Sequence, residues 1–203
     1  MMQLEQIRVI IMCKAPVAGR VKTRLMSRYS AAEAALLHRA MAQTVIDRAA
    51  RLFADVVVAA DDITHPFFAG FALPCCAQGE GDLGERMQRQ VDHGFATGAK
   101  AVLLLGTDSP QMADARLLQA ASAVKRADVV LGPVEDGGYD LVAMRSAEPI
   151  FTNVIWSSGK VLVQTMANIG QLGLSVIQLE TGFDVDFPED VDRARQCGWQ
   201  SAS

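Results

Sequence analysis

The 203-residue sequence has no overall excess of basic residues, and this narrows the partners it can have. Its formal net charge is −4 and its pI is near 5.4. Nucleic acids and anionic membranes both require a basic surface, so the composition argues against either partner. A small anionic substrate is still compatible with an acidic chain, because only the charge at the site itself matters.

Cysteine pairs and long apolar runs are also missing. The four cysteines show no C-x-x-C spacing, and they are Cys13, Cys75, Cys76 and Cys197. We predict that all four are reduced and buried, as in a cytoplasmic protein. No apolar run reaches the ~18 residues that a membrane helix needs, and the N-terminus lacks the features of a signal peptide. These absences predict a soluble, cytoplasmic protein.

The chain has no low-complexity or linker-like segment, and short apolar runs alternate with helical patterns throughout. Its length favours one domain over residues 1–203. We expect strands at the start of 7–25, at 55–60, weakly within 71–78, and at 101–105, 128–131, 139–144 and 174–179. This alternation predicts an α/β fold with three layers, α/β/α, and a mostly parallel central sheet.

Local signals place several of the helices between these strands. Ser30 and Glu33 form a capping box ahead of a long amphipathic helix. Ser157 or Ser158 is expected to cap a later helix. Pro188 is expected to open the last helix at the first position, where proline is tolerated.

The first predicted strand leads into a basic loop. Between Gln6 and Ala32 there are six basic residues and no acidic one. Arginine and lysine bind phosphate oxygens, although a solvated basic loop is the simpler alternative. A Walker loop is excluded, because Val21 occupies the position before Lys22 where that motif has glycine. We predict a nucleotide-phosphate site made by Lys14, Pro16, Gly19, Arg20, Lys22, Thr23 and Arg24.

A second glycine-rich stretch has the formal pattern G-x-G-x-x-G at Gly79, Gly81 and Gly84. Asp82 and the neighbouring Glu80 would repel a pyrophosphate, and no acidic residue near position 104 is available to hold a ribose. A Rossmann dinucleotide site is therefore disfavoured. We predict instead a flexible turn near the substrate, with Gln78 and Asp82 as candidate nucleotide contacts.

Carboxylates near strand ends are candidate metal ligands. Asp108 follows the apolar run AVLLL, and Asp184 and Asp186 lie near the C-terminus. Mg²⁺ on a nucleotide takes one or two carboxylates together with phosphate oxygens. Each of these residues also has a plainer interpretation, because Asp108 is equally suited to capping a helix and Asp186 to preceding one.

The stretch from Glu135 to Tyr139 contains a Gly-Gly pair that would allow backbone to approach a ligand closely. A plain turn between strands is the alternative. Trp156 would lie at the rim of a site or in the core, beside Ser157. We take the candidate substrate-binding residues to be Asp136, Gly137, Gly138, Tyr139, Trp156 and Ser157. The three histidines, His38, His65 and His93, fit neither a zinc pattern nor a catalytic triad.

Six motifs in order resemble one family over nearly the whole chain. They are KAPVAGRVKTRL, QGEGDLGERM, GTDSP, LGPVEDGGYDL, the F-x(4)-WSS stretch and DVDFPEDV. The sequence resembles the small bacterial transferase-like proteins of the nucleotide-diphospho-sugar transferase superfamily, which have the GT-A fold. More distantly it is similar to phospholactate guanylyltransferase and molybdenum cofactor guanylyltransferase.

The resemblance implies roles for particular residues. Lys14, Gly19, Lys22 and Arg24 would bind the phosphates of a nucleotide, and Asp108 would hold Mg²⁺ or Mn²⁺. Asp184 or Asp186 would complete that metal site.

The sequence also departs from the family pattern in two places. Asp108 is followed by Ser109 and Pro110 rather than by a second Asp, which favours nucleotidyl over glycosyl transfer. Asp140 and Phe187 stand where the family usually has an aromatic residue and a threonine, so the acceptor preference is expected to differ.

These observations predict a Mg²⁺-dependent transferase in which Lys22, Arg24 and Asp108 are the catalytic residues. Its substrate would be a nucleoside triphosphate or a nucleotide sugar, and its acceptor a small phosphorylated or hydroxylated molecule. Nucleotidyl transfer is the leading hypothesis. Glycosyl transfer and non-catalytic nucleotide binding are the alternatives, and the sequence leaves the base, the acceptor and the oligomeric state open.

Overall fold

The computed structural model describes residues 6–200, and within them seven strands form one mixed sheet. The strands are β1 (Ile7–Cys13), β2 (Asp55–Ala60), β3 (Cys75–Ala77), β4 (Ala101–Leu105), β5 (Val129–Pro133), β6 (Tyr139–Met144) and β7 (Val176–Gln178). Their order across the sheet is β3-β2-β1-β4-β6-β5-β7. The predicted mostly parallel sheet is confirmed, with β6 as the antiparallel member between β4 and β5. A five-residue turn joins β5 to β6, and so short a connection allows only antiparallel pairing.

The described residues form five α-helices, four of which cover the two faces of the sheet, as the three-layer prediction requires. They are α1 (Ala31–Leu52), α2 (Leu83–Ala96), α3 (Asp114–Ala123), α4 (Val161–Gln171) and α5 (Pro188–Gln196). Helices α1 and α3 pack on one face and α2 and α4 on the other. Strand β4 is fully buried and sends Leu103 and Leu105 to the first face and Leu104 to the second. A strand that is apolar on both sides must have helices on both sides.

The helix boundaries confirm two local predictions and correct a third. The Ser30–Glu33 capping box is present at the start of α1, and Pro188 occupies the first turn of α5. The prediction that Ser157 or Ser158 caps α4 is wrong. That helix begins at Val161 without a side-chain cap, because the Ser158 hydroxyl instead donates to the Ile155 carbonyl oxygen at 2.6 Å.

The cysteine prediction holds only in part. All four are free thiols, but only Cys13 is buried; Cys75 and Cys76 are half-buried and Cys197 is exposed. Among residues 6–200 no helix combines the length and apolar character needed to cross a membrane.

A third, smaller apolar cluster lies away from the two faces of the sheet. It joins Leu25 from the turn after the basic loop, the start of α1, the segment before α5, and α5 itself. Leu25 and Val185 are both fully buried in it. The cluster therefore holds residues near position 22 against residues near position 186, which are far apart in sequence.

Candidate functional site

Two loops that follow neighbouring parallel strands build the centre of the candidate site. Strands β1 and β4 pair in parallel, so the basic loop after Cys13 and the turn after Leu105 emerge at the same edge of the sheet. Ligands of such sheets bind at this edge, outside the carboxyl ends of the strands. The segment 183–187 crosses the same place, where the Val185 backbone N–H donates to the Asp108 carbonyl oxygen at 2.8 Å.

The Lys22 ammonium lies at the meeting point of these three segments. Its Nζ is 2.8 Å from Asp108 Oδ1 and 3.0 Å from Asp186 Oδ1, and it donates to the Val185 carbonyl oxygen at 2.7 Å. Its side chain is only 6% exposed. Burial alone would lower the pKa of Lys22, but the two carboxylates outweigh it and hold that pKa above its usual value. The residue is therefore a fixed positive charge.

Asp108 is the open side of this cluster. Its side chain is 46% exposed, so solvent or a ligand reaches the carboxylate. The partial burial of Asp108 would raise its pKa, but the neighbouring Lys22 ammonium keeps that pKa below the usual value, and the carboxylate is ionised. It does not cap the following helix, because α3 has Ala113 at its N-cap position. The capping interpretation of Asp108 is thereby excluded.

Asp184 and Asp186 point to different neighbours. Asp186 also forms an ion pair with Arg24, whose Nη1 lies 2.8 Å from Asp186 Oδ2. The Arg24 guanidinium lies over the Phe187 ring. The Asp184 carboxyl accepts a hydrogen bond from the Ser109 hydroxyl at 2.6 Å. Burial, together with the charge of Asp108, raises the pKa of Asp184 to about 7. Of the two, Asp186 therefore shares a cation with Asp108, and Asp184 holds its proton more tightly than an ordinary carboxyl does.

The donor chemistry of this cluster suits a hard divalent cation, although Lys22 now occupies its centre. Carboxylate oxygens of Asp108 and Asp186 lie within 3.0 Å of one atom, and Mg²⁺ prefers such oxygens. Over residues 6–200 no group of three or more His, Cys, Asp or Glu side chains converges as a ready-made metal site. A cation bound here would thus need oxygens from its ligand as well.

The rest of the basic loop is largely open to solvent. Lys14, Gly19, Arg20 and Thr23 are exposed, and Pro16 is half-buried. Gly19 has a φ of +77°, a left-handed conformation that favours glycine. The loop thus presents its charges outward, and its predicted nucleotide contacts stay predictions.

Two residues that are not among the predicted site residues fix the start of this loop. Asp61, which follows β2, accepts from the Ala15 backbone N–H at 2.6 Å. The buried His38 ring on α1 donates through Nε2 to the Lys14 carbonyl oxygen at 3.0 Å, and its Nδ1 is buried without a partner. Burial lowers the pKa of His38, so the ring is neutral. The position of Asp61 after a predicted strand was the only sequence signal for this role.

The glycine-rich stretch forms the predicted turn beside the same edge. The buried Gln78 side chain donates to the carbonyl oxygens of Cys13 at 3.2 Å and Ala59 at 2.8 Å. Asp82 forms a capping box with Glu85 at the start of α2, and Gly81 adopts a φ of +101°. Both predicted nucleotide contacts thus have structural partners already, and their role toward a ligand stays a prediction.

The predicted substrate-binding residues form a second group, from the turn 135–138 and the loop 156–159. A side chain at Gly137, which has a φ of +86°, would collide with the Gly159 carbonyl oxygen. The Tyr139 hydroxyl lies 3.5 Å from Thr165 Oγ1, and burial raises the pKa of Tyr139. Trp156 is half-buried against the core, which leaves its indole N–H buried without a partner. Ser157, Asp136 and Gly138 lie at the accessible side of this group.

Asp140, a departure from the family pattern, has a structural partner that the sequence analysis missed. Arg116 on α3 donates to it twice, from Nε to Oδ2 at 2.9 Å and from Nη2 to Oδ1 at 3.1 Å. Arg116 also donates to the carbonyl oxygens of Pro133 and Glu180. This pair ties α3, β5 and β6 to the segment that leads to Asp184. No sequence pattern marked Arg116.

The fold is shared by solved structures of transferases. A provisionally assigned nucleotide-diphospho-sugar transferase from Desulfovibrio desulfuricans G20 is 31% identical, with a TM-score of 0.84 over 90% of this chain and 83% of that one. A CMP:2-keto-3-deoxy-manno-octonic acid synthetase solved with CTP has 13% identity and a TM-score of 0.61, covering 95% and 98%. A 4-diphosphocytidyl-2C-methyl-D-erythritol synthase from Anaerococcus prevotii DSM 20548 has 10% identity and a TM-score of 0.60, covering 96% and 98%.

Sequence comparison gives the family. No curated protein matches the chain. The model of one family, described as "Uncharacterized protein conserved in bacteria (DUF2064)", matches residues 36–158. Because that match spans more than half of the sequence, and because the D. desulfuricans protein matches with the same fold, the chain belongs to the DUF2064 family and has the fold of the nucleotide-diphospho-sugar transferases.

Proposed function

We propose that this protein is a divalent-metal-dependent nucleotidyltransferase. It would transfer a nucleoside monophosphate from a nucleoside triphosphate to a small phosphorylated or hydroxylated acceptor and release pyrophosphate. One observation carries the proposal: the basic loop and the carboxylates of Asp108 and Asp186 meet at the ligand-binding edge of the sheet, around the Lys22 ammonium. The fold shared with nucleotide-using transferases supports it.

The residues of this chain would divide the work between them. Lys22, Arg24 and Lys14 would bind the phosphates through their positive charges, and such positioning and charge stabilisation supply most of the rate in phosphoryl transfer. Asp108 and Asp186, with Asp184 behind them, would hold Mg²⁺ or Mn²⁺. That ion, when bound, neutralises charge on the phosphate oxygens.

The bonding changes constrain what else the site must supply. An acceptor oxygen forms a bond to the α-phosphorus while the bridging bond to the β-phosphate breaks, and pyrophosphate leaves with that electron pair. A phosphate acceptor is already deprotonated and needs no general base, whereas a hydroxyl acceptor would lose its proton to solvent or to a carboxylate of the site as the new bond forms. We place the acceptor at the turn 136–139 and the neighbouring Trp156 and Ser157, because these lie together beside the antiparallel strand β6.

Pyrophosphate release tests the proposal. The purified protein would be incubated with Mg²⁺, each of the four common nucleoside triphosphates and a panel of phosphorylated and hydroxylated acceptors. We expect pyrophosphate release that Asp108→Asn abolishes and Asp114→Asn, an exposed carboxylate on α3, leaves intact. Nucleotide-induced thermal stabilisation without turnover in any combination would instead favour a non-catalytic binding protein.

Glycosyl transfer from a nucleotide sugar is the second candidate, favoured by the 31% identical neighbour. It would use the same edge of the sheet and the same cation but break the bond between the sugar and the diphosphate. The product distinguishes the two reactions. A free nucleoside diphosphate without pyrophosphate would select glycosyl transfer.

A further inference from the structure

The Lys22 ammonium is surrounded by oxygen atoms of the protein itself. An ammonium group has three N–H donors. Nζ donates to the Val185 carbonyl oxygen and to Asp186 Oδ1, and it forms an ion pair with Asp108 Oδ1 at 2.8 Å. With 6% of its side chain exposed, it offers nothing to an incoming phosphate. Lys22 can therefore bind a nucleotide only after it gives up these partners.

The ammonium also lies at the place where a cation would contact both carboxylates. Asp108 Oδ1 and Asp186 Oδ1 each lie within 3.0 Å of Nζ. A divalent cation cannot share that position with an ammonium group, because like charges at such a separation repel strongly. Either the cation stays out or Lys22 moves.

We infer that Lys22 acts as a built-in counter-ion that excludes a free divalent cation and leaves Asp108 and Asp186 only when cation and nucleotide bind together. This inference rests on the proposed function and specifies how its ligands enter. With both present, the cation replaces the ammonium at the carboxylates, and phosphate oxygens replace the carboxylates at the ammonium. If the cation binds alone, the displaced ammonium has no partner of opposite charge. If the nucleotide binds alone, the ammonium leaves and the two carboxylates have no such partner.

The surroundings of Lys22 make this exchange feasible. Val21 before it is buried, but Thr23 after it is exposed and the Asp108 side chain that it contacts is 46% exposed. The unbranched lysine stem therefore has solvent on one side, into which it can turn. Arg24 cannot take its place in the cluster, because its guanidinium lies on the outer oxygen of Asp186 and is 54% exposed. Lys22 is thus the one cation of the described cluster that contacts both carboxylates.

The consequence is a positive thermodynamic coupling between the two ligands. Each ligand should raise the affinity for the other by the same factor, as linkage requires. Replacing Lys22 by a neutral residue should abolish this coupling, because the carboxylates could then bind the cation without the nucleotide.

The test measures binding of Mn²⁺ alone, through the electron paramagnetic resonance signal of the free ion. The proteins compared are the wild type, Lys22→Met and Lys100→Met. Lys100 is exposed and precedes β4, at the opposite edge of the sheet, so its replacement controls for net charge. We expect Lys22→Met to bind Mn²⁺ at least about fivefold more tightly than the other two, the lower end of typical coupling. Equal or weaker binding by Lys22→Met would overturn the inference.

A second variant keeps the test decisive if Lys22→Met fails to fold. Lys22→Gln removes the charge but retains a donor for the Val185 carbonyl oxygen, and the same tightening is expected. In the wild type, each of the four common triphosphates is added in turn, and at least one should tighten Mn²⁺ binding by a factor that Lys22→Gln reduces. If the wild type releases pyrophosphate but the Mn²⁺ affinity of both variants equals that of the wild type, this inference is refuted and the proposed function stands. Tighter Mn²⁺ binding by the variants without any turnover by the wild type would support this inference and contradict the proposed function.

Discussion

Two clusters of cations and carboxylates in this protein differ in what surrounds them. In one, Arg116 and Asp140 are closed in, with side chains 14% and 4% exposed. In the other, Lys22 is equally buried but faces Asp108 and Asp186, which are 46% and 28% exposed. The first has all its partners inside the protein and serves to hold elements together. The second is open on the carboxylate side, and that opening is what a ligand requires.

Breaking the closed pair should have the largest effect on stability. Arg116→Met would leave the Asp140 carboxylate buried without a counter-charge, which typically costs about 3–5 kcal/mol of the free energy of unfolding. Urea denaturation would measure the loss. Arg51→Met removes an exposed arginine paired with Asp114 and should cost less than about 1 kcal/mol. Similar losses in the two variants would contradict the comparison.

Breaking the open cluster should instead affect activity. Asp108→Asn should lower pyrophosphate release at least about a hundredfold, the usual effect of removing one group that stabilises transition-state charge. The free energy of unfolding should change far less than in Arg116→Met, because solvent already reaches Asp108. Measuring pyrophosphate release and urea denaturation for both variants would show whether the open cluster governs activity and the closed pair governs stability. A variant that is folded and fully active would contradict the assignment of Asp108.

The carboxyl behind the open cluster should make stability depend on pH. The pKa of Asp184 is raised to about 7, above the value of ~4 for an unfolded chain. Between these values the native state binds more protons, so the free energy of unfolding should fall as pH rises from about 4 to about 7. We expect about 1–2 kcal/mol of this loss to come from Asp184, after allowing for partial solvent screening.

Thermal unfolding across that pH range would measure the dependence in three proteins. Asp184→Asn should remove much of the slope, and Asp47→Asn, at an exposed position on α1, should retain it. A slope unchanged in Asp184→Asn would contradict the raised pKa.

The smallest structural effect should come from the outer edge of the open cluster. Arg24→Met loses an exposed ion pair to Asp186 and should change the free energy of unfolding by less than about 1 kcal/mol. Nucleotide binding, measured by calorimetry with Mg²⁺, should nevertheless weaken about tenfold, because about 1.4 kcal/mol of phosphate contact is lost. Arg28→Met is the matched control, since Arg28 forms a similarly exposed pair with Asp192. Equal nucleotide affinity in the two variants would contradict the assignment of Arg24 to the nucleotide site.

Much of the fold was predictable because local patterns decide it. The run AVLLL at 101–105 and the segment 139–144 were predicted with the observed bounds, since apolar runs bounded by turn residues have few alternatives. The start of α4 was not predictable in this way. Ser158 could cap a helix or bind the preceding carbonyl, and it did the latter.

The site was predictable as a set of residues but less so as an arrangement. Lys22 and Asp108 were each marked by their place after a strand. That Asp186 rather than Asp184 contacts the ammonium depends on tertiary contacts: Asp184 accepts from the Ser109 hydroxyl, and Asp186 faces Lys22 and Arg24. Arg116 had no signal, because a single arginine on a helix is compatible with an exposed position until the fold places Asp140 beside it.

The contacts of Lys22 with Val185 and Asp186 join positions 163 and 164 residues apart. During synthesis Asp186 would emerge 164 residues after Lys22. Such distant contacts form late and slowly, so for most of synthesis the loop would carry its positive charges without Asp186. A chain that binds nucleotide through this site is therefore one in which the basic loop has already met the segment 183–187, and ligand binding would report that this contact has formed.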